Sequence, residues 1–331
     1  MLLRPSPPLV AACFASGRGR TAASARAAMS RRVLVTGGNK GIGLAIVERL
    51  LTECDDTTVL LGSRDAARGE AARAQLLARL SGVAPSRLEV LLLDVSDGAQ
   101  VARAAQATAP LFALVNNAGI ADGDAATILD VNLRGVKRVV DAFAPLLAAS
   151  AASGDARIVN VSSGAAPMFV EKCSPERQRF FTDKRPSWEA LDAAAAEYVA
   201  AAAAGGAALD ALGYPPPKAA GAYGFSKALL NSYTMLSAAA LGAAHPGLRV
   251  NACSPGFIVT DLTRSMMAQM GTGKTVEEAG GLPPREGTHS AWFLLFGDVP
   301  GGAGGRYYGS DAKRSPLDRY RSPGSAEFVE E

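Results

Sequence analysis

The stretch Thr36-Gly37-Gly38-Asn39-Lys40-Gly41-Ile42-Gly43 follows a short apolar run and opens an amphipathic segment. The run Val33–Thr36 is predicted to be a β-strand, and residues 42–52 are predicted to be a helix. Glycines between a strand and a helix let the backbone turn tightly and approach a pyrophosphate at the helix N-terminus. Their spacing, G-x-x-x-G-x-G, differs from the standard G-x-G-x-x-G fingerprint. We therefore interpret the stretch as the phosphate-binding turn of a βαβ unit, the alternative being a purely structural turn.

Apolar runs and helical segments alternate along most of the chain. Further strands are predicted at Thr57–Leu61, Leu88–Leu93, Leu111–Val115, Arg157–Val161 and Leu248–Ala252, and further helices near 66–80, 97–107, 126–150 and 223–241. Because the runs lack polar alternation, they fit strands buried on both faces of a parallel sheet. We predict an α/β fold, a doubly wound parallel sheet of the Rossmann type, in a single domain over residues 31–309. Asp65 and Ser96 are predicted to be the N-caps of the second and third helices.

Residues 165–221 interrupt this alternation and are interpreted as a long insertion before Tyr223. The insertion holds an Ala-dominated helix candidate, Trp188–Ala204, and the stiff run Pro215-Pro216-Pro217. A second Gly- and Pro-rich stretch, Gly271–Gly287, is predicted to be a loop or mobile flap. The polar tail over residues 310–331 is predicted to be loosely ordered.

Residues 1–30 form a leader before the first predicted strand. Residues 1–28 contain arginines but no acid, and the first carboxylate of the chain is Glu48. This composition is typical of a mitochondrial or chloroplast transit peptide. The alternatives are a disordered extension or a true start at Met29. With a transit peptide we expect a chloroplast or mitochondrial protein, and otherwise a cytoplasmic one.

Charge and composition argue against several classes of protein. The formal charge is +3, but the basic excess lies in the leader, so the folded body is near neutral. A near-neutral body offers no basic field to nucleic acid or an anionic membrane, and no apolar stretch of about 18 residues predicts a membrane span. The chain has 4 scattered cysteines without a C-x-x-C pair and only 2 histidines. We therefore expect no metal site and look for the acid–base groups elsewhere.

The end of the second predicted strand indicates which dinucleotide is bound. It reads Leu61-Gly62-Ser63-Arg64, where a carboxylate binds the ribose 2′-hydroxyl of NAD and an arginine accommodates the 2′-phosphate of NADP. Lys40 adds a second cation on the same side, which predicts NADP(H) as the cofactor. Asp65 is a nearby acid, and the alternative is that both cations are solvated surface charges. The cofactor residues assigned to the glycine turn are Gly37, Asn39, Lys40, Gly41, Ile42 and Gly43.

The third and fourth predicted strands end in Leu93-Asp94-Val95 and Val115-Asn116-Asn117-Ala118-Gly119. In a doubly wound sheet the carboxyl ends of the strands form the ligand crevice. Asp94 can accept a hydrogen bond from the adenine amino group, and the small residues Ala118 and Gly119 leave room for a ribose. The cofactor residues assigned to these two strand ends are Asp94, Val95, Asn116, Ala118 and Gly119.

The run Tyr223-Gly224-Phe225-Ser226-Lys227 is the candidate reacting centre, because a spacing of four places Tyr223 and Lys227 on one helix face. A free phenol, with a pKa of about 10, is a poor proton shuttle at neutral pH. A neighbouring ammonium is expected to lower that pKa. Ser163, at the end of the fifth predicted strand, can donate a hydrogen bond to a developing alkoxide. A tyrosine and a lysine at this spacing are usually only a surface pair. The motifs that precede them in the chain favour the interpretation as a reacting centre.

Together these residues resemble the short-chain dehydrogenase/reductases, over about Arg32 to Tyr308. The glycine turn is similar to that family's T-G-x-x-x-G-x-G, residues 116–119 to its N-N-A-G, and residues 223–227 to its Y-x-x-x-K. The catalytic serine of the family is usually the second of the pair, which selects Ser163 over Ser162.

The resemblance implies further site residues. Residues 255–260 are similar to the family's P-G-x-x-x-T stretch, which contacts the nicotinamide amide. Asn132 aligns with a helix asparagine that holds a water linking the lysine to solvent. Lys227 is implied to bind the nicotinamide ribose, so Tyr223 and Lys227 serve both catalysis and cofactor binding. The cofactor residues assigned to residues 255–260 are Pro255, Gly256, Ile258 and Thr260.

Within the family, T-G-G-N-K-G-I-G, the long insertion and Lys172-Cys173-Ser174-Pro175-Glu176 resemble the NADPH carbonyl reductases. In that subgroup extra helices cover a surface that other members use to tetramerise, which implies a monomer. The segment from Gly119 to Asn132 looks shorter than in those reductases, and the Ala-rich part of the insertion differs. Both border the expected substrate pocket, so the substrate stays open.

Two functions from different classes fit these observations. In the first, an enzyme transfers hydride from NADPH to a ketone, aldehyde or quinone, with Tyr223 donating the proton. In the second, a non-catalytic NADPH-binding module acts as a redox sensor or scaffold. Modules of that kind usually lack one of the serine, tyrosine and lysine, and all three are present here. The sequence therefore favours the enzyme.

Overall fold

The computed structural model describes residues 31–152, 155–216, 221–300, 302 and 304–329. From Arg31 onward the chain forms one compact unit. The leader and its predicted transit peptide lie outside the described residues, as does Pro217 of the predicted proline run.

The sheet is built from seven parallel strands in the described part of the chain. They are β1 (Arg31–Val35), β2 (Thr57–Ser63), β3 (Leu88–Leu92), β4 (Ala113–Asn116), β5 (Ala156–Val161), β6 (Leu248–Cys253) and β7 (Gly304–Tyr308). Their order is β3-β2-β1-β4-β5-β6-β7. The order reverses between β1 and β4, and a ligand crevice opens at the carboxyl ends of strands at such a point. The predicted doubly wound parallel sheet is confirmed.

The strand β7 is the one that the apolar pattern does not predict. It begins with Gly304 and Gly305, which adopt φ angles of +103° and +77°. Its pairing with β6 shifts register between Val250 and Ala252. A glycine-led strand at the edge of the sheet, with an irregular register, lacks the continuous apolar run on which the prediction depends.

Helices cover both faces of the sheet. They are α1 (Gly41–Glu53), α2 (Ala66–Arg79), α3 (Gly98–Gln106), α4 (Ala125–Leu129), α5 (Gly135–Ala151), α6 (Ala165–Val170), α7 (Pro175–Thr182), α8 (Trp188–Ala204), α9 (Gly206–Ala211), α10 (Gly221–Ala244), α11 (Asp261–Met270) and α12 (His289–Phe296). Asp65 caps α2 as predicted, accepting from the Arg68 N–H at 2.9 Å. The predicted cap at Ser96 is wrong. Asp97 caps α3 instead, because the Ser96 hydroxyl donates to Asp94 at 2.7 Å.

Alternate residues of the strands fill two separate cores, which explains the unbroken apolar runs. In β1, Leu34 packs in a core shared with α5 and α10. Val33 and Val35 pack on the opposite face, with α1 and α2. Since successive side chains of a strand point to opposite faces, both faces of a covered parallel sheet require apolar residues.

The insertion packs on α10 through a cluster of aromatic rings. Phe225 lies at its centre, and the ring of Tyr198 from α8 stacks on it with 3.9 Å between centroids. The other rings around Phe225 are Phe169, Phe181 and Tyr214. The helix α8 has the bounds that the sequence predicts. Phe225 lies between Tyr223 and Lys227 in the chain. The packing of the insertion on Phe225 therefore helps to fix the part of α10 that carries the candidate reacting centre.

The single helix predicted over residues 126–150 is divided in the structure. Between α4 and α5 the chain makes a π-helical turn over Asp130–Arg134. Such turns are frequent at functional sites, and this one holds Asn132.

Two segments are packed more closely than their composition suggests. In the predicted loop Gly271–Gly287, Val276 is buried and the Leu282 N–H donates to the carbonyl of Phe257 at 2.9 Å. In the tail, the Ser315 N–H donates to the carbonyl of Tyr307 at 2.9 Å. The expectation of a loosely ordered tail is therefore wrong, whereas mobility of the loop stays a prediction.

We expect Tyr198→Ala to lower the free energy of unfolding by about 3–5 kcal/mol, because it removes a large ring from a filled core. Tyr198 is 2% exposed and contributes the stacked ring of the cluster. Tyr198→Phe keeps that ring and is expected to cost at most about 1 kcal/mol. Chemical denaturation measures both losses, and equal losses in the two variants would contradict the packing role of the ring.

Candidate active site

The glycine turn lies where β1 and β4 are neighbours. Gly37 and Gly41 adopt φ angles of +62° and +56°, in the left-handed region that favours glycine. A Cβ on Gly43 would lie 2.4 Å from the side-chain nitrogen of Asn117, and one on Gly37 would lie 3.0 Å from the Cα of Ala118. Because Gly37 and Gly43 have no side chains, the turn can lie directly against the end of β4. The backbone at the N-terminus of α1 is left bare. Such backbone fits a pyrophosphate.

Asn117 holds this turn in place, a role that the sequence analysis did not assign. Its Nδ2 donates to the carbonyl oxygens of Thr36 and Gly37 at 2.9 and 3.2 Å. Asn116 was assigned to the cofactor, but its side chain is buried and donates to Asn160 at 2.9 Å inside the sheet. Successive side chains at a strand end point to opposite sides, and it is Asn117 that faces the turn. The side chain of Asn116 is therefore used inside the sheet, and a contact of Asn116 with the cofactor stays a prediction that only its backbone could fulfil.

Arg64 lies directly after β2, next to the glycine turn. The Gly38 N–H of that turn donates to the carbonyl of Gly62 at 2.9 Å. Arg64 is exposed and makes no ion pair within the described part of the chain. The nearby acid Asp65 is engaged elsewhere, since the hydrogen bond from the Arg68 backbone holds its pKa below the usual range. Asp65 therefore leaves the Arg64 guanidinium available to an anion.

Lys40 is less available than the sequence predicts. Its Nζ pairs with Asp261 of α11 at 2.8 Å, and the two side chains are 65% and 68% exposed. The hydrogen bond from Lys40 lowers the pKa of Asp261. Exposed pairs of this kind contribute about 0–1 kcal/mol, so a bound phosphate can compete for the ammonium.

The predicted adenine side of the crevice is held by hydrogen bonds. One carboxylate oxygen of Asp94 accepts from the N–H and the hydroxyl of Ser96, at 2.9 and 2.7 Å. The carbonyl of Val95 accepts from Arg138 at 3.2 Å, and the Val95 side chain is buried. Asp94 therefore has a fixed orientation, whereas Val95 can offer little more than backbone to a ligand.

Residues 255–260 connect β6 to α11 and border the same crevice. Thr260 caps α11, and its methyl group would lie 3.3 Å from a Cβ on Gly41. Gly256 has a φ angle of +94°. The Ile258 side chain is buried, so only its backbone faces outward. Thr260 therefore lies beside the glycine turn, and the contact of residues 255–260 with the nicotinamide amide, which the resemblance implies, stays a prediction.

The reacting centre forms where the end of β5 meets α10. The hydroxyl of Ser163 lies beside the phenol oxygen of Tyr223, within hydrogen-bonding reach. The Nζ of Lys227 lies 5.8 Å from the centre of the Tyr223 ring and donates to the carbonyl of Val161 at 2.8 Å. The neighbouring Ser162 hydroxyl instead donates to the carbonyl of Lys227 at 3.3 Å. The structure thus brings the predicted serine, tyrosine and lysine together, and the geometry favours Ser163 over Ser162.

The expected effect of Lys227 on the phenol is absent from this arrangement. Burial raises the pKa of Tyr223, and the Ser163 hydrogen bond lowers it by less. Burial lowers the pKa of Lys227 to about 8. Both shifts arise because desolvation disfavours the charged form of each group. In this arrangement burial outweighs the other effects on the pKa of Tyr223, and a lowering of that pKa by the Lys227 ammonium stays a prediction.

Asn132 is locked against the chain that follows β4. Its amide accepts from the N–H of Ile120 at 2.9 Å and donates to the carbonyl of the same residue at 2.8 Å. It also donates to the hydroxyl of Ser226 at 3.0 Å. A Cβ on Gly119 would lie 3.2 Å from the Asn132 oxygen and 3.5 Å from the Nζ of Lys227. Asn132 therefore lies in the neighbourhood of Lys227, and its implied water stays a prediction.

Two residues that the sequence analysis did not single out also belong to this region. The Ser254 hydroxyl oxygen accepts from the N–H groups of Gly164 and Gly256 at 3.1 and 3.2 Å. It thereby joins the Ser163 loop to residues 255–260. The Ser254 hydroxyl also lies within hydrogen-bonding reach of the buried phenol of Tyr307. Ser254 follows β6 and could have been found from its strand end, whereas Tyr307 lies on the unpredicted β7.

The crevice as a whole fits an extended dinucleotide. Bare backbone lies at its centre, an exposed arginine follows β2, and the Ser–Tyr–Lys centre lies beyond β5. Among the described residues, no cluster of His, Cys, Asp and Glu could hold a metal ion. In the same residues no helix is long and apolar enough to cross a membrane.

Known proteins share this sequence and fold. The family model described as short chain dehydrogenase matches residues 31–175. The chain is 34% identical over 298 residues to short-chain dehydrogenase/reductase 1 of Saponaria officinalis, covering 80% of this chain and 91% of that protein. It is 33% identical over 242 residues to NADPH carbonyl reductase 1 of Homo sapiens, covering 69% and 82%.

Solved structures agree with these relatives. Salutaridine reductase from Papaver somniferum superposes with a TM-score of 0.65 at 26% identity, covering 84% of this chain and 99% of that one. Menthone neomenthol reductase from Mentha piperita gives a TM-score of 0.65 at 25% identity, covering 85% and 99%. The chain therefore belongs to the short-chain dehydrogenase/reductase family and is an oxidoreductase acting on carbonyl or alcohol groups.

Proposed function

We propose that the protein is an NADPH-dependent reductase that converts a ketone, aldehyde or quinone carbonyl to the alcohol. The observation that carries the proposal is the buried phenol of Tyr223 with Ser163 and Lys227 beside it. Relatives named as NADPH carbonyl reductases, which match 69% of the chain at 33% identity, support it.

The chain's own residues can bind the cofactor along the crevice. Arg64 would contact the 2′-phosphate, since it is exposed and unpaired within the described residues. The glycine turn would take the pyrophosphate, and Lys227 the nicotinamide ribose. When bound, NADPH supplies the hydride that adds to the carbonyl carbon.

Tyr223 is the proton donor of the reaction. The phenol of Tyr223 is in its acid form at neutral pH and can give its proton to the carbonyl oxygen. Burial raises its pKa and so makes it a weaker acid, which the ammonium of Lys227 offsets as charge develops on the phenol oxygen. The Ser163 hydroxyl donates a hydrogen bond to the carbonyl oxygen while negative charge develops there. Lys227, with a pKa of about 8, can stabilise the resulting phenolate and return a proton to it.

The rim of the centre favours an apolar substrate. Met168 and Phe257 expose 41% and 40% of their surface, and they follow the Ser163 loop and Gly256 in the chain. Leu282 exposes 51% and hydrogen-bonds through its backbone to Phe257. Exposed apolar side chains on segments that leave a site support the binding of an apolar partner.

We expect Arg64→Asp to raise the KM for NADPH by on the order of 100-fold, with little change for NADH. The substitution removes a charge-assisted hydrogen bond and places a carboxylate beside the 2′-phosphate. Arg179→Asp on α7 makes the same charge change outside the crevice and is expected to leave both cofactors unaffected. Kinetics with the two cofactors measure this, and equal use of NADH and NADPH by the wild type would refute the assignment.

We expect Tyr223→Phe to lower kcat by about 10²–10⁴-fold, since it removes only the donating oxygen. Ser163→Ala should lower kcat by about 10²–10³-fold, as loss of one oxyanion donor does. NADPH affinity, measured by fluorescence titration, should survive both changes and weaken in Lys227→Ala.

Tyr233→Phe is the matched control for the loss of a phenol. Tyr233 is buried on the same helix α10, and this variant should keep kcat within about twofold, because its hydroxyl lies away from the crevice. Near-normal turnover in Tyr223→Phe would be evidence against the mechanism. NADPH binding without turnover of any carbonyl by the wild type would favour the sensor or scaffold instead.

We also propose that the protein is a monomer, because the insertion covers helices that would otherwise be exposed. Trp188 of α8 packs edge-on against Tyr233 of α10, with 5.9 Å between ring centroids. Arg134 pairs with Asp192 of α8 at 2.7 Å. Light scattering of the purified chain should give the monomer mass of 33.9 kDa, less any removed leader. A stable dimer or tetramer would contradict the proposal.

A further inference from the structure

The chain after β7 returns to the reacting centre at two points. We call residues Ser310–Val329 the tail loop. At its start, a Cβ on Gly256 would lie 3.1 Å from the Cβ of Ser310. Further along, a Cβ on Gly164 would lie 2.9 Å from a ring carbon of Tyr320. Gly164 follows Ser163 directly, so the tail loop borders the centre on both the serine side and the side of residues 255–260.

The tail loop is held in this position by contacts of its own. Arg321 forms an ion pair with Asp311, and both side chains are largely buried. The Gly324 N–H donates to the second Asp311 oxygen at 2.9 Å, and the Arg321 Nε donates to the hydroxyl of Ser315 at 3.0 Å. Buried, hydrogen-bonded charge pairs fix geometry, because breaking one leaves an uncompensated charge. Tyr320, adjacent to Arg321, is therefore carried by an anchored segment.

The surroundings of Tyr320 connect it to the reacting phenol. The buried Tyr307 lies beside the Ser254 hydroxyl and in the neighbourhood of both Tyr320 and Tyr223. Ser254 in turn accepts from Gly164. The three phenols therefore lie around one small region, in which Tyr223 and Tyr307 are buried and Tyr320 is 41% exposed.

We propose that the ring of Tyr320 forms a wall of the substrate site and selects carbonyl compounds that carry a flat apolar group. The proposal rests on the reductase function proposed above. An aromatic ring fixed beside the Ser163 loop, with a free face, offers a stacking surface for an aryl group attached to the reacting carbonyl. Aromatic contacts add about 0.5–1.5 kcal/mol beyond the burial of area, which corresponds to a preference of about 2–10-fold or more.

The test compares aryl ketones with straight-chain aliphatic ketones of equal carbon count. For Tyr320→Ala we expect kcat/KM to fall about 10-fold for the aryl members, through a higher KM, with kcat/KM for the aliphatic members changed less than about 2-fold. Tyr320→Phe keeps the stacking ring and should behave as the wild type. Ser325→Ala, at an exposed residue of the same tail loop that does not line the cavity beside Tyr320, should also behave as the wild type.

The outcomes separate this inference from the function on which it rests. A wild type that binds NADPH but reduces no ketone, aldehyde or quinone refutes the reductase function. An active wild type whose aryl and aliphatic rates change equally in Tyr320→Ala, or do not change, refutes only the role of Tyr320. A uniform rise of all rates in Tyr320→Ala would also refute the role of Tyr320. Its ring would then obstruct access to the site for every substrate and would not select among substrates. NADPH affinity should be unchanged in all three variants.

Discussion

The site depends on one steric constraint, the close contact between the glycine turn after β1 and the end of β4. The two meet because the strand order reverses between β1 and β4. A side chain at Gly43 would collide with the Asn117 amide, which holds the turn through the carbonyls of Thr36 and Gly37. The same strand end continues to Gly119, where a missing side chain leaves Asn132 and Lys227 close together. One contact therefore shapes both the cofactor crevice and the approach to the reacting lysine.

Helix α10 joins the stability of the fold to the chemistry of the site. Phe225 faces the aromatic rings of the insertion, while Lys227, two residues later and on the other side of the helix, reaches the carbonyl of Val161 at the end of β5. The insertion leaves the sheet just after Ser163 and returns at α10. It can therefore vary in composition behind the centre without changing how the serine, tyrosine and lysine meet. This explains how an Ala-rich α8 coexists with a recognisable family site.

Most of the fold and the central residues could be predicted from the sequence, because they depend on local patterns. Buried apolar runs predicted six of the strands of the described sheet. Short motifs identified Ser163 and Tyr223 as candidate catalytic residues. The contribution of β7 could not be predicted, since glycine-led pairing at the edge of the sheet leaves no apolar run. Which of Asn116 and Asn117 faces the crevice depends on the strand end, which a motif does not specify. The packing of the tail loop depends on the buried pair of Arg321 and Asp311, which are distant from the centre in sequence.

The direction of the two pKa shifts bears on the direction of catalysis. Reduction needs a phenol that gives up a proton, whereas alcohol oxidation needs a phenolate that accepts one. Burial raises the pKa of Tyr223 and lowers that of Lys227 to about 8, so desolvation favours the neutral form of both groups. The phenol of Tyr223 holds its proton at neutral pH even at its ordinary pKa of about 10, and burial strengthens that preference. The form needed for oxidation is populated only as the pH rises. This does not alter the equilibrium between carbonyl and alcohol, but it makes the protonation state of the resting site match the proposed reaction.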